Sequence, residues 1–505
     1  MSPLALPPEV STLVVGGGTA GAAAAAMLAR HSTDSILLLE AGPDYGAFGD
    51  HRWPSDVLDA RAIPLSHDWG ISTVPTISAP SLDLPRARVM GGCSSHNGCT
   101  ASLGARADYD DWARQGNPGW EAATVEPLLH WVHDRFRVRR YRHEELTIAQ
   151  AAFVTAGLRS GLPFADDLDD LEAGVGIGPM PVNIVDGVRW NAAFAFLDPV
   201  RQAEHLTIAG DCLVRRLLFE RGVVVGAEVA TAGGTQIIRA GRVVVAAGAY
   251  HSPALLLRSG IGAANELAPL GIHCVADLPG VGRHLLDHPC VQRDFHGRKG
   301  LLDELAHMSW NPDEQTVGRA RSSRCDDGPY DIHVFMVAGA NSGHPGLPPI
   351  SLYGGAMRAV SEGRVTLRSA DPHANPLVDH RYASDPEGHD LAVLTEALEL
   401  LDQMTAVPEL AAVLGKPAST TDPLQHIVNY CHPAGTCKLG PENDPDAVVD
   451  THGAVHGIEG LYVADASIMP SITRGNPNLP TAMIGARIAA DLLKLSPAEA
   501  VMDRP

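Results

Sequence analysis

The segment that most restricts the fold lies at the front of the chain. Leu13-Val14-Val15 is a short apolar run that leads straight into Gly16-Gly17-Gly18-Thr19-Ala20-Gly21 and then into an alanine-rich stretch ending at Ala29. A second apolar run, Ile36-Leu37-Leu38-Leu39, ends in Glu40 and is followed by the turn residues Gly42 and Pro43. The pattern reads strand, tight turn, helix, strand, which is one βαβ unit. Gly16, Gly18 and Gly21 have dinucleotide-site spacing: one glycine makes the turn, one lets backbone approach a pyrophosphate, and one allows the helix to pack on the strand. The helix N-terminus then offers free N–H groups and a positive dipole end to phosphates. Glu40 stands where a carboxylate accepts hydrogen bonds from an adenosine ribose. A glycine-rich loop of no chemistry is the bland alternative, and the strand, the helix and the acid together argue against it.

Further along, two apolar β-rich runs span 206–230, and the stretch 236–247 closes with Val243-Val244-Val245-Ala246-Ala247 before Gly248. These runs read as the first sheet resuming. Residues 120–205 carry helix-like and loop segments whose acidic clusters, Asp166-Asp167 and Asp169-Asp170, read as solvated surface. The polar stretch 300–330 reads as a loop or insertion, with a new unit beginning near Tyr330. Residues 461–493 run strand, Gly/Pro-rich turn, helix, and return to the first sheet.

Composition enters where it limits partners. The chain of 505 residues is 45% hydrophobic and 19% charged, an ordinary balance for a folded protein. Its net charge of −21 argues against a nucleic-acid partner and mildly favours cationic small molecules, although solubility alone explains an acidic surface equally well. The opening MSPLALPPEV has no basic segment followed by an apolar one, and the most apolar later stretch, 242–257, is too short and polar to cross a bilayer. Eight cysteines without a CxxC pair indicate neither a metal site nor a disulfide framework. A cytoplasmic monomer or homodimer with no membrane partner and no metal is expected.

Several motifs resemble those of the glucose-methanol-choline (GMC) oxidoreductases. Gly91-Gly92-Cys93-Ser94-Ser95-His96-Asn97 looks like that family's flavin flap, and Asp108-Tyr109-Asp110-Asp111-Trp112 with Gly119-Trp120 looks like its continuation. The run from Gly248 through His251-Ser252-Pro253 to Ser259-Gly260-Ile261-Gly262 resembles the second family signature along its whole length. Asp287-His288-Pro289 and the stretch 363–379 look like later family segments, so the resemblance covers nearly the whole chain.

The resemblance implies a two-lobed α/β fold: a Rossmann-like FAD-binding domain with a substrate-binding domain of antiparallel sheet plus helices. The FAD-binding domain would comprise residues 8–155, 205–300 and 455–505, and the substrate-binding domain residues 156–204 and 301–454. It implies FAD as cofactor, with Val214 beside the adenine, Asp465 and Ala466 at the pyrophosphate and ribityl, and Pro477 and Asn478 near the isoalloxazine. Thr19, Ala20, Ala41, Arg88, Gly91, Gly92, Ser95, Asn97, Gly98, Ala247 and Gly248 complete the implied cofactor contacts. The flap is most like that of choline oxidases, where the histidine in the slot of His96 is bonded to the flavin; a covalent flavin is therefore expected, although Gly98 replaces a polar residue of those enzymes.

His432, in Tyr430-Cys431-His432-Pro433-Ala434-Gly435-Thr436, resembles the family's active-site histidine, and an imidazole titrating near neutrality suits the removal of a hydroxyl proton. Asn476, in Gly475-Asn476-Pro477-Asn478, occupies the slot of its usual partner. An asparagine can donate to an alkoxide but cannot take a proton, so His432 is the acid/base of the pair. The implied reaction is oxidation of an alcohol to an aldehyde or ketone, with oxygen or another acceptor taking the electrons. Phe335 stands where choline oxidases place a histidine, and no acidic residue aligns with their ammonium-binding carboxylate. A cationic amino alcohol or amino sugar is thus as good a candidate as choline. A dehydrogenase using a non-oxygen acceptor and a hydroxynitrile lyase on the same fold are the alternatives.

Overall fold

Short runs of Val, Ile and Leu with no polar alternation can bury both faces only in the middle of a layered sheet, and here they do so. In the computed structural model, which describes residues 6–74, 81–339 and 350–502, Ile36–Leu39 is buried throughout. Strand Glu9–Val15 pairs in parallel with Ile36–Leu39 on one side and with the second half of Gly234–Val245 on the other. Leu206–Ala209 extends the parallel sheet beyond Ile36–Leu39, and Leu461–Val463 lies parallel to Val243–Val245. The first half of Gly234–Val245 pairs instead with an antiparallel ribbon, Leu213–Glu220 and Val223–Thr231. Helix Thr19–His31 packs on this sheet beside helix Asn478–Leu492. The two helices meet so closely that a side chain at Gly485 would lie 2.2 Å from the carbonyl of Ala20.

A second sheet is antiparallel throughout, ordered Val428–Asn429, Pro289–Phe295, Ile350–Ala356, Ile332–Ala338, Thr316–Ala320 and Gly176–Pro179. Helices Ile148–Arg159, His389–Thr405 and Pro408–Leu414 bury their apolar faces with it in a separate core. The mixed α/β fold, with one nucleotide-type sheet and one antiparallel sheet, agrees with the sequence reading, as does the C-terminal strand–turn–helix.

Three readings need correction. The stretch 300–330 is not an insertion: it holds helix Leu301–His307 and strand Thr316–Ala320, all five residues of which are buried. That strand is paired on both edges, so its polar side chains are enclosed, and the Arg319 guanidinium lies 4.6 Å from the centre of the Tyr330 ring. Strand Pro289–Phe295 falls within 205–300 yet pairs in the second sheet, and the boundary at 155 cuts helix Ile148–Arg159, whose residues share the second core. The acidic cluster near 166–170 is not all solvated loop, because Asp169 pairs with His133 at 2.7 Å. Among the described residues no helix is long and apolar enough to cross a membrane, no group of acids, histidines and cysteines could hold a metal, and the eight cysteines are free.

Candidate active site

The glycine turn sorts into two kinds of position. Gly16 has φ +104°, and a Cβ there would lie 2.4 Å from the Ala246 carbonyl oxygen; one on Gly21 would lie 1.8 Å from that of Gly16. Both are glycine because backbone packs on backbone. Gly18 has nothing nearer than Gly92 Cα, 3.6 Å away, so its missing side chain leaves space open at the start of helix Thr19–His31. Over this turn Glu40 is fixed by two backbone donors, Gly17 N–H to Oε2 and Gly42 N–H to Oε1, each 2.9 Å. Burial pushes its carboxyl up to about 7 against those donors.

The flap is a 3₁₀ turn, Gly92–Ser95, entered through Gly91 and Gly92, both at positive φ. Gly91 N–H donates to the Gly17 carbonyl at 2.8 Å, which ties flap to glycine turn. Ser94 and Ser95 are wholly buried and spend their hydroxyls on the carbonyls of Gly91 and Met90, 2.6 and 3.1 Å away. His96 is buried with Nε2 2.9 Å from the Ser66 carbonyl oxygen, so Nε2 donates and the open lone pair is on Nδ1. Burial lowers its pKa to about 4, leaving the ring neutral at physiological pH.

A second helix, Gly248–Arg258, starts beside the turn. Asp465 anchors that start: Oδ2 accepts from Gly248 N–H at 2.8 Å and from the Ser252 hydroxyl at 2.6 Å, while Oδ1 accepts from Ser467 N–H at 2.8 Å. Thr19 Oγ1 donates to Asn478 Oδ1 at 3.0 Å, and Asn478 Nδ2 is buried without a partner.

These elements enclose one cavity of about 500 Å³. Gly16, Gly18, Thr19, Ala20, Glu40, Ala41, Val214, Ala247, Gly248, Asp465 and Ala466 line it, as do Gly92, His96, Asn97, Gly98, Pro477 and Asn478. His432 and Asn476 line it too. Gly21, Arg88, Gly91 and Ser95 do not: Gly21, Gly91 and Ser95 build the wall from behind, and exposed Arg88 donates to the Ala41 carbonyl at 3.2 Å with its guanidinium over the Trp69 ring. Two helix starts, a glycine with open space before it, a fixed acid and an unpartnered amide donor suit an extended anionic dinucleotide such as FAD.

His432 Nε2 lies 3.2 Å from Asn476 Nδ2, and His432 Nδ1 lies 2.9 Å from His288 Nδ1. The peptide N–H groups of His432 and His288 both donate to Asp287 Oδ1 at 2.8 Å, and Tyr382 donates to Oδ2 at 2.7 Å. Burial, followed by the neighbouring His288, Arg86 and His333, holds the His432 ring well below the usual imidazole range. The ring is therefore uncharged at physiological pH. The Arg86 guanidinium reaches over to the Cys431 carbonyl at 2.7 Å and steadies the loop before it.

The sequence reading named Tyr430 and Phe335 without their stacking and missed Glu314. Tyr430 stacks on His432 with ring centres 4.4 Å apart, and Phe335 stacks between Tyr430 and Tyr353 at 4.8 Å from each. Glu314 lines the same end of the cavity, where burial, and then Asp313 beside it, raises its carboxyl to about 7. Tyr430 adjoins the active-site motif and was legible from it. Glu314 carried no signal beyond an acidic pair in a polar stretch.

Known proteins resemble this chain along nearly its whole length. Models of the GMC oxidoreductase family match residues 10–290 and 359–485. The chain is 32% identical to an oxygen-dependent choline dehydrogenase of Brucella anthropi, over 97% of this chain and 96% of that one. It is 33% identical to the mitochondrial choline dehydrogenase of Homo sapiens, over 97% and 90%. Among solved structures, pyridoxine 4-oxidase from Mesorbium loti superposes with a TM-score of 0.85 at 27% identity, covering 95% of this chain and 99% of its own. Dinucleotide cradle, flap and family match together make this chain an FAD-dependent oxidoreductase of the GMC oxidoreductase family.

Proposed function

We propose that the protein oxidises the CH–OH group of a cationic amino alcohol, with Nε2 of His432 taking the hydroxyl proton and the Asn476 amide holding the alkoxide. The observation that carries this reading is the convergence of those two side chains, 3.2 Å apart, on the wall of the cavity that also holds the dinucleotide cradle. When bound, FAD supplies the acceptor for the carbon-bound hydride. The chain's own share is to remove one proton and to stabilise the negative oxygen it leaves. A cationic substrate is supported by Glu314 at the same end of the cavity as the stacked rings of Phe335, Tyr353 and Tyr430, since a carboxylate and aromatic faces both attract an ammonium group. The names of the choline dehydrogenase relatives point the same way.

A covalent bond between His96 and the flavin 8-methyl carbon is also proposed; it would replace one methyl C–H, the proton leaving to solvent and the two electrons passing through the flavin to the enzyme's own electron acceptor. The His96 ring is neutral, lines the cavity and has Nδ1 free to act as nucleophile while Nε2 donates to Ser66. Acid precipitation tests this: yellow colour in the supernatant removes the bond. The function itself is tested by mixing yellow holoenzyme anaerobically with choline, shorter amino alcohols, amino sugars and neutral alcohols. Bleaching by cationic alcohols alone is expected, and bleaching by none of them overturns the reading. Peroxide formed under air in proportion to alcohol consumed identifies oxygen as the acceptor; turnover only with an added quinone identifies a dehydrogenase.

A further inference from the structure

Two neutral imidazoles in contact through one nitrogen each must divide roles, one donating and one accepting. His288 and His432 are such a pair: the rings are perpendicular, their centres are 5.1 Å apart, and the Nδ1 atoms are 2.9 Å apart. Neither ring can turn away freely. His288 is wholly buried, both peptide N–H groups are pinned to Asp287 Oδ1, and Tyr382 holds the other carboxylate oxygen.

The surroundings choose between the two ways of placing the shared proton. Asn476 Nδ2, a donor, faces His432 Nε2 at 3.2 Å and needs a lone pair there, which sends the proton of His432 to Nδ1. His288 must then accept at Nδ1 and carry its own proton on Nε2. The backbone carbonyls of Met357 and Thr473 raise the proton affinity of that ring, although Nε2 completes no well-formed hydrogen bond with either. The opposite placement would set an N–H of His432 against the Asn476 amide N–H, a repulsive contact at 3.2 Å.

We infer that His288 is a positioning residue, which accepts the Nδ1 proton of His432 and so holds the tautomer whose Nε2 lone pair faces the cavity. This rests on the reading of His432 as the base. As the alcohol O–H bond breaks, its proton goes to Nε2, and the imidazolium keeps its Nδ1–H directed at His288. His288 itself stays neutral, because burial lowers its pKa to about 3, so it supports the new charge as a hydrogen-bond acceptor without taking the proton. The arrangement parallels the orienting carboxylate of a catalytic triad with a neutral ring in its place.

Neutron diffraction from deuterated crystals of the holoenzyme tests the tautomer directly. Deuterium on His432 Nδ1 and on His288 Nε2 is expected; deuterium on His288 Nδ1 overturns the inference. Kinetics test the consequence. His288→Leu removes the acceptor and is expected to slow anaerobic flavin reduction roughly 10²-fold, short of the about 10⁴ that a wrong tautomer costs a triad enzyme. His288→Asn keeps an oxygen near the Nδ1 position and is expected to recover about tenfold of that loss, with substrate affinity little changed in both. Equal loss in the two variants, or full activity in His288→Leu, overturns the role, and if neither variant folds the neutron map decides alone. Near-normal turnover in His432→Ala would sink the base assignment while leaving the proton positions as inferred.

Discussion

The surroundings of His432 keep it unprotonated, as its proposed role as a base requires, and one prediction follows from that charge state. With the ring held well below its ordinary value, no acid limb belonging to His432 is expected in kcat/KM near pH 6.5. Glu314 behaves in the opposite sense: its carboxyl is raised to about 7, so it is neutral below that pH and ionised above it. A cationic alcohol needs the ionised form, hence kcat/KM for such a substrate should fall as pH drops below about 7, while a neutral alcohol shows no such fall. Glu314→Gln should abolish the limb and raise KM for the cation alone; a limb that persists in the variant assigns it to another group. His432→Ala should lower the rate of flavin reduction by about 10²–10⁴, the range for loss of a general base. His432 and Asn476 were legible because their neighbours are characteristic, HPxGT on one side and GNPN on the other. Glu314 was not: it shares the cavity with Phe335, Tyr353 and Tyr430, which come from segments up to more than a hundred residues away, and no local pattern encodes that.

At the scale of elements, the βαβ unit was the most readable part because the glycine spacing states a geometric requirement. The structure separates two requirements that the spacing merges. Gly16→Ala places a Cβ 2.4 Å from a carbonyl oxygen at φ +104°, so the apoprotein itself should lose stability, by about 1–3 kcal/mol or more. Gly18→Ala meets only ordinary contacts within the protein, and the added methyl would enter the open space at the start of helix Thr19–His31, where FAD phosphates are expected to sit. Its thermal midpoint without flavin should match the parent, while FAD affinity falls and the purified protein is pale. Apoprotein melting curves and flavin titration check both variants, and a destabilised Gly18→Ala apoprotein would remove the distinction. Strand Thr316–Ala320 was illegible for a complementary reason. Its sequence, TVGRA, has no apolar alternation, and it is a strand because two neighbours pair with it and enclose its arginine.

Across the whole molecule, the two cores are joined beside the loop that carries Asn476 by Arg474, which is 1% exposed. Its guanidinium pairs with Asp108 of helix Arg106–Arg114, with Asp327 at 2.5 Å, and with the Tyr330 carbonyl at 2.6 Å, the last two on the approach to strand Ile332–Ala338. Its own N–H donates to Asp108 Oδ2 at 2.8 Å, and the next residues are Gly475 and Asn476. Arg358 doubles the link by reaching Asp111 at 3.0 Å and Asp327 at 2.9 Å. One side chain thus fixes helix Arg106–Arg114, the loop before strand Ile332–Ala338 and the chain two residues before Asn476 in a single frame. Removing a partner from a buried pair leaves the other charge uncompensated and costs about 3–5 kcal/mol, so Arg474→Met should unfold at lower temperature. A tie that served stability alone would leave the chemistry intact in molecules that remain folded. Because Asn476 hangs from this anchor, the rate of anaerobic flavin reduction should fall as well, measured well below the melting range. Arg474→Lys should recover part of the stability and little of the rate, since one ammonium keeps the charge but cannot span three acceptors in a plane. A variant with lowered melting temperature and an unchanged reduction rate would show that Asn476 is positioned from its other side, by the helix that begins at Asn478.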